Sequence, residues 1–130
     1  MVERSTNKNM KISVITATYN SAKTFEDTIN SLNMQDYPDI EYIIVDGAST
    51  DSTLKIVEQY GHRVTTLISE KDNGIYDALN KGIALATGDV VGFLHSDDLF
   101  ADDKVLSRIA AVFSKESTDA IYGDLHYVSK

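Results

Sequence analysis

Glu41-Tyr42-Ile43-Ile44-Val45-Asp46-Gly47-Ala48-Ser49-Thr50-Asp51 decides the fold. Tyr42 to Val45 form an unbroken apolar run of β-forming residues, as expected of a strand covered on both faces. The run stops at an aspartate, a glycine and small hydroxyl residues, which favour a turn and then a helix N-terminus. Leu54, Val57 and Tyr60 follow on one helical face. A covered strand feeding a helix through a short polar loop is half of a β-α-β unit.

The same unit recurs outward in both directions. Strands are expected at Ile12 to Ile15, Val64 to Ile68, Val90 to Leu94 and, more weakly, Ala120 to Tyr122. Between them, Ala22, Phe25, Ile29 and Leu32 share a helical face. So do Ile75, Ala78, Leu79, Gly82, Ile83 and Ala86, and again Val105, Leu106, Ile109, Ala110 and Phe113. Ser21, Thr50 or Asp51, Asn73 and Asp102 read as caps before helices, and Gly61 and Gly88 as stops after them. The single proline, Pro38, falls in a connection. Residues 1–10 lack periodicity and read as a disordered tail, leaving one domain over 11–130. Alternating strands and helices predict an α/β fold. It is an open, doubly wound, mainly parallel sheet with helices on both faces, resembling a Rossmann-like nucleotide-binding half.

Composition narrows the function. With 42% hydrophobic and 25% charged residues, the chain reads as an ordinary globular domain. Its apolar runs are too short to cross a bilayer, and the polar N-terminus does not read as a secretory signal. The absence of cysteine excludes disulfides, thiolate metal sites and cysteine nucleophiles, and fits a cytoplasmic location. A net charge of −8 disfavours nucleic acid as a partner. The acid is concentrated: Glu70 to Asp103 holds eight carboxylates against two lysines. Such a run is commonly a solvated face, and the alternative is a site that needs a cation.

Ligands of open α/β sheets bind outside the carboxyl ends of the strands. Four loops lie at that edge: Thr16 to Asn20, Asp46 to Asp51, Glu70 to Gly74, and His95 to Asp98. All are rich in carboxylate, amide and hydroxyl groups. Asp97 and Asp98 are adjacent and repel, so they call for a cation, strong hydrogen bonds or a shifted pKa. Oxygen ligands at a half-open site suit Mg²⁺ or Mn²⁺; an isolated pair would more often leave Asp98 as a cap, but its place directly after the fourth strand favours the cation. Asp46 either closes an Asx-type turn or accepts a hydrogen bond from a base or ribose, with Gly47 allowing a flat ring close to the backbone. Glycine-rich phosphate loops are absent, which disfavours ordinary dinucleotide and P-loop chemistry. His62, His95 and His126 are scattered and read as structural or exposed.

Taken in order, Ser13 to Asn20, Tyr42 to Asp51 and His95 to Asp98 resemble the inverting glycosyltransferase family 2, of GT-A fold. The resemblance covers Lys11 to about Tyr127. Glu70 to Gly82 is similar to the branch that builds bacterial surface polysaccharides. The resemblance implies that Asp46 recognises the nucleotide base, with Ala17 and Tyr19 lining the same pocket. Lys71, Asp72 and Gly74, within the Glu70 to Gly74 loop, would close the nucleotide-sugar pocket. Asp97 and Asp98 stand at a DxD-type motif, Asp97 towards ribose and metal and Asp98 as principal metal ligand. The first position of that motif, often acidic, is His95 or Ser96 here.

The implied activity is that of a metal-dependent hexosyltransferase using Mn²⁺ or Mg²⁺. It would move a sugar from a nucleotide diphosphate sugar, a UDP-sugar, to an acceptor hydroxyl with inversion, in bacterial polysaccharide or glycolipid synthesis. The acceptor would be a saccharide or lipid-linked. The parent protein would work in the cytoplasm, peripherally at the inner face of the cell membrane. By resemblance, the general base lies beyond Lys130 with the acceptor-side segment, so the chain would be truncated before it and no catalytic residue is assigned. The alternative is a module that holds nucleotide sugar and metal without turnover. A phosphoryl-transfer fold is weaker, because it would want acids after the first strand, where Thr18, Tyr19 and Asn20 stand.

Overall fold

A computed structural model describes residues 10–116. The expected strand at Ala120 to Tyr122, residues 1–9 of the expected 1–10 tail, and His126 lie outside them, whereas Met10 is partly buried against the core. The elements run β1 (Ile12–Thr18), α1 (Ala22–Asn33), β2 (Ile40–Asp46), α2 (Thr53–Tyr60), β3 (Val64–Ser69), α3 (Ile75–Leu85), β4 (Val90–Phe93) and α4 (Val105–Glu116).

Among the described residues the strands form one sheet in the order β3-β2-β1-β4, with every pairing parallel. The chain steps outward from β1 to β2 and β3, then crosses back past β1 to β4. That reversal opens a crevice at the carboxyl ends of the central strands. The expected architecture is therefore present.

Alternation along the strands divides the core. Ile12 and Val14 of β1 and Tyr42 and Ile44 of β2 pack with Phe25, Ile29 and Leu32 of α1, Ile56 and Val57 of α2, and Leu106, Ala110 and Phe113 of α4. Ile15, Ile43 and Val45 face the other way and meet Ala78 on α3. α3 comes in tightly because residue 82 is glycine: a Cβ there would stand 2.5 Å from Ile15 Cγ2. Burial pushes the Tyr42 phenol well above its usual range, and its hydroxyl shares a 2.8 Å hydrogen bond with Thr16.

Several details depart from the sequence pattern. The α2 face is carried by Thr53, Ile56 and Val57, with Leu54 only half-buried. The α3 stripe is wider than its buried part: Ala78 and Gly82 are covered, while Ile75 is 49% and Ile83 46% exposed. Helix boundaries also sit one or two residues from their expected caps. α3 starts after Gly74 rather than Asn73, and Gly88 serves no helix end. The Gly88 N–H instead donates to Ser13 Oγ at 2.8 Å, where β1 and the β4 lead-in touch. Ser21 makes no side-chain cap for α1. That cap comes from a distant residue, Asp51, described below.

Candidate functional site

The loops at the carboxyl edge enclose a pocket of about 560 Å³. The end of β1 and the loop after it contribute Ala17, Thr18, Tyr19 and Ser21, and the β2–α2 loop contributes Gly47 and Ala48. The β3 side gives Lys71, Asp72, Gly74, Ile75 and Ala78, and the β4 loop gives Ser96. Of the site residues expected from sequence, Ala17, Tyr19, Lys71, Asp72 and Gly74 thus share one cavity. Tyr19 is 64% exposed, presenting a ring at the rim.

Asp46 does not line the pocket itself; it is fully buried, one residue before the lining Gly47 and bonded to the lining Thr18. Strand register sets Thr18 on one side of it and Ser69 on the other. Its Oδ1 accepts from Thr18 Oγ1 and Ser49 Oγ, both at 2.6 Å. Its Oδ2 accepts from the Ser49 N–H at 2.8 Å and Ser69 Oγ at 2.9 Å. Burial alone would push this carboxyl up, but the Ser49, Thr18 and Ser69 donors outweigh it and hold the group below the usual carboxylate range. The turn-closing function is directly visible: Asp46 ties the ends of three strands to the β2–α2 loop.

A second network joins the first two loops. Asn20 adopts left-handed backbone (φ 47°), as does Ala48 (φ 66°). Asn20 Oδ1 accepts from the Thr50 N–H at 2.8 Å and the Asp51 N–H at 3.2 Å, and the Asn20 N–H donates to Ser49 Oγ at 2.8 Å. Asp51 returns the contact. Its Oδ2 accepts from the Ala22 N–H at 3.1 Å and its Oδ1 from the Thr53 N–H at 2.9 Å. One carboxylate therefore caps α1 and α2 together, both helix N-termini favouring a negative charge.

The β4 loop is fastened from α1. Thr24 Oγ1 and Thr28 Oγ1 both donate to the Ser96 carbonyl, at 2.9 and 3.0 Å, and Ser21 Oγ contacts Ser96 Oγ at 3.2 Å. The Asp98 N–H donates to the His95 carbonyl at 3.0 Å, turning the loop. The expected acid pair is thus split by environment, Asp97 exposed and Asp98 2% exposed, and neither lines the pocket itself. Among the described residues, no three His, Cys, Asp or Glu side chains gather as a ready metal cage. Two carboxylates on one loop still fit a hard divalent cation that keeps water and takes phosphate oxygens for its remaining ligands.

Sequence reasoning missed the pocket role of Ser21 and Ser96, the donors to Asp46, and the double cap by Asp51. A hydroxyl at the end of β1 was the available signal for Thr18. The others depend on contacts between distant loops.

Residues 13–130 match the family described as glycosyl transferase family 2. A PGL/p-HBAD biosynthesis glycosyltransferase of Mycobacterium bovis is 37% identical over 118 residues, covering 87% of this chain and 46% of that protein. The chain thus spans about half the length of this curated relative. Among solved structures, Staphylococcus aureus TarS 1–349 in complex with UDP-GlcNAc superposes with a TM-score of 0.77 at 35% identity, over 83% of this chain and 32% of that one. A mannosyltransferase of Pyrobaculum calidifontis in complex with GDP-Man and Mn²⁺ gives 0.72 at 32% identity, over 85% and 34%. The shared sheet has its pocket where open α/β folds place their ligands, and the family match spans nearly all of the sequence: the chain belongs to glycosyltransferase family 2.

Proposed function

We propose that this chain forms the sugar-donor half of a transferase that moves a hexose from a nucleoside-diphosphate sugar, a UDP-sugar, to an acceptor hydroxyl with inversion. The observation that carries this reading is the pocket built from all four carboxyl-edge loops, with buried Asp98 on the β4 loop beside it. The TarS and P. calidifontis relatives, captured with UDP-GlcNAc and GDP-Man, support a nucleotide-sugar ligand. Relatives named for PGL/p-HBAD biosynthesis and, in Bacillus subtilis, for teichuronic acid biosynthesis support an acceptor that is a saccharide or lipid-linked, in work done peripherally at the inner face of the membrane. Among the described residues, no helix is long and apolar enough to cross one.

The Tyr19 ring at the rim suits stacking on a base, and Lys71 places a cation on the pocket wall for phosphate. Asp98 and Asp97 would hold Mn²⁺ or Mg²⁺. Such an ion, when bound, offsets the negative charge of the departing nucleoside diphosphate. Asp46 and the Asn20–Asp51 clasp keep the loops in place so that binding does not have to order them.

Calorimetric titration of UDP with and without Mn²⁺ tests the reading. The parent chain should bind more tightly with Mn²⁺, and Asp98→Asn should lose the metal-dependent part, roughly tenfold. Equal affinity in parent and variant, with metal and in chelator, would sink the assignment. Binding without sugar transfer to any acceptor would favour the second reading, a nucleotide-sugar module without turnover of its own.

A further inference from the structure

Two carboxylates approach the nucleotide pocket, and they differ in what they have left to offer. Asp46 is spent on four hydrogen bonds from Thr18, Ser49 and Ser69. A base N–H could reach it only by displacing one of these. Asp72 lines the pocket and is half-buried. Its one hydrogen bond to a described residue is local, the Gly74 N–H donating to Oδ1 at 3.2 Å.

Residue 47 lets Asp72 come in. A Cβ built on Gly47 would stand 3.0 Å from Asp72 Oδ2 and 3.3 Å from its Cγ. A side chain at 47 would therefore push the carboxylate outward. Gly47 also sits directly after Asp46, so the β3 loop delivers an acceptor onto the very loop whose own carboxylate is turned inward. The other polar groups on the wall are mainly hydroxyls and the Lys71 amine. Hydroxyls discriminate weakly because they both donate and accept, and an ammonium only donates.

Resting on the nucleotide-sugar reading above, we infer that Asp72, held against Gly47, is the specificity-determining residue that accepts the edge N–H of the donor's base. A carboxylate acceptor matches the imide N–H of uracil, or the N1–H and amino group of guanine. It opposes cytosine, which presents a bare ring nitrogen at the matching edge position. Two acceptors facing each other across a desolvated contact leave both unsatisfied.

The test is calorimetric binding of UDP, GDP and CDP to the parent, Asp72→Asn, Asp46→Asn and Gly47→Ala, each checked by thermal melting. The parent should prefer UDP or GDP to CDP by roughly tenfold or more. Asp72→Asn supplies an amide donor, so it should shrink that ratio about tenfold or invert it, with little change in melting temperature. Gly47→Ala should shift the ratio the same way by displacing Asp72, without touching its chemistry. Asp46→Asn should lower stability and leave the ratio near that of the parent. If the ratio is unchanged in Asp72→Asn, or moves with Asp46→Asn alone, the assignment is overturned while the nucleotide reading stands. If the parent binds none of the three nucleotides, both fall.

Discussion

Glu41 and Asp46 sit at opposite ends of β2, and each is a buried carboxylate lying across from a hydroxyl residue on β1. Ser13 Oγ donates to Glu41 Oε1 and Thr18 Oγ1 donates to Asp46 Oδ1, both at 2.6 Å. Beyond that shared bond the two ends diverge. At the amino end the α3–β4 connection lies on the carboxylate: the Thr87 N–H and Oγ1 donate to Glu41 at 2.8 and 3.1 Å, and Lys11 Nζ holds Thr87 Oγ1 at 2.7 Å. At the carboxyl end the donors come from Ser49 and Ser69, and the loops they belong to part around a pocket. The same chemistry, a buried anion satisfied by neutral donors, locks a connection at one end and frames a binding site at the other. What differs is whether the covering loop closes over the sheet or stands off it.

The largest effect is expected from Asp46→Ala. It strands donors from Thr18, Ser49 and Ser69 and should lower stability by about 3–4 kcal/mol. Because those loops frame the pocket, UDP affinity of the folded fraction should fall roughly ten- to a hundredfold, as calorimetry below the melting temperature would record. Unchanged affinity per folded molecule would show that the two ends are equivalent after all.

Glu41→Ala should cost nearly as much, about 3 kcal/mol, lowering the melting temperature by on the order of 10 °C. UDP affinity should stay within twofold of the parent, roughly the scatter of independent sites. A tenfold loss of affinity would mean that the amino end is coupled to the pocket.

Acid should loosen both ends together. Burial alone would raise the carboxyls of Glu41 and Asp46, but the hydrogen bonds from Ser13 and Thr87 at one and Ser49, Thr18 and Ser69 at the other hold them below their ordinary values of 4.5 and 3.8. The unfolded chain then binds more protons than the folded one as pH falls through the carboxylate range. Their stabilisation is complete above that range and is lost as pH drops through it and on below. Denaturant titrations between neutral pH and pH 3 should show this decline, and Glu41→Gln and Asp46→Asn should each flatten part of it. A slope unchanged in both variants would count against the stated origin.

The smallest and sharpest test removes one matched bond at each end. Ser13→Ala and Thr18→Val should each cost about 1 kcal/mol. Thr18→Val should also weaken UDP binding severalfold, since Thr18 lines the pocket, whereas Ser13→Ala should leave it alone. Equal effects on binding would erase the distinction between the ends.

Much of this was legible in the residues. The unbroken run Tyr42 to Val45 reads as a strand covered on both faces, and it lies buried between helices of the two layers. The four polar loops could be assigned to one edge from the alternation of strands and helices, and five of the expected ligand residues do share a cavity. The α3 stripe was less faithful, because hydrophobic spacing tells which side chains share a face but not how much sheet is available to cover them. Ile75 and Ile83 belong to the pattern and remain half in solvent.

Local order, then, was determined by the sequence itself: strands, helices, the parallel alternation and the loops that end at the carboxyl edge all follow from the period of apolar side chains and from turn-forming residues, which are short-range properties. Tertiary structure alone decided what each acid does. Asp46 receives donors from Thr18 and Ser69, 28 and 23 residues away, and Asp51 caps α1 across 29. Asp72 reaches Gly47 only because the β3 and β2 loops meet. A carboxylate's role depends on how many of its lone pairs are already bonded and how deeply it is buried. Both are set by neighbours that only the folded sheet brings into range.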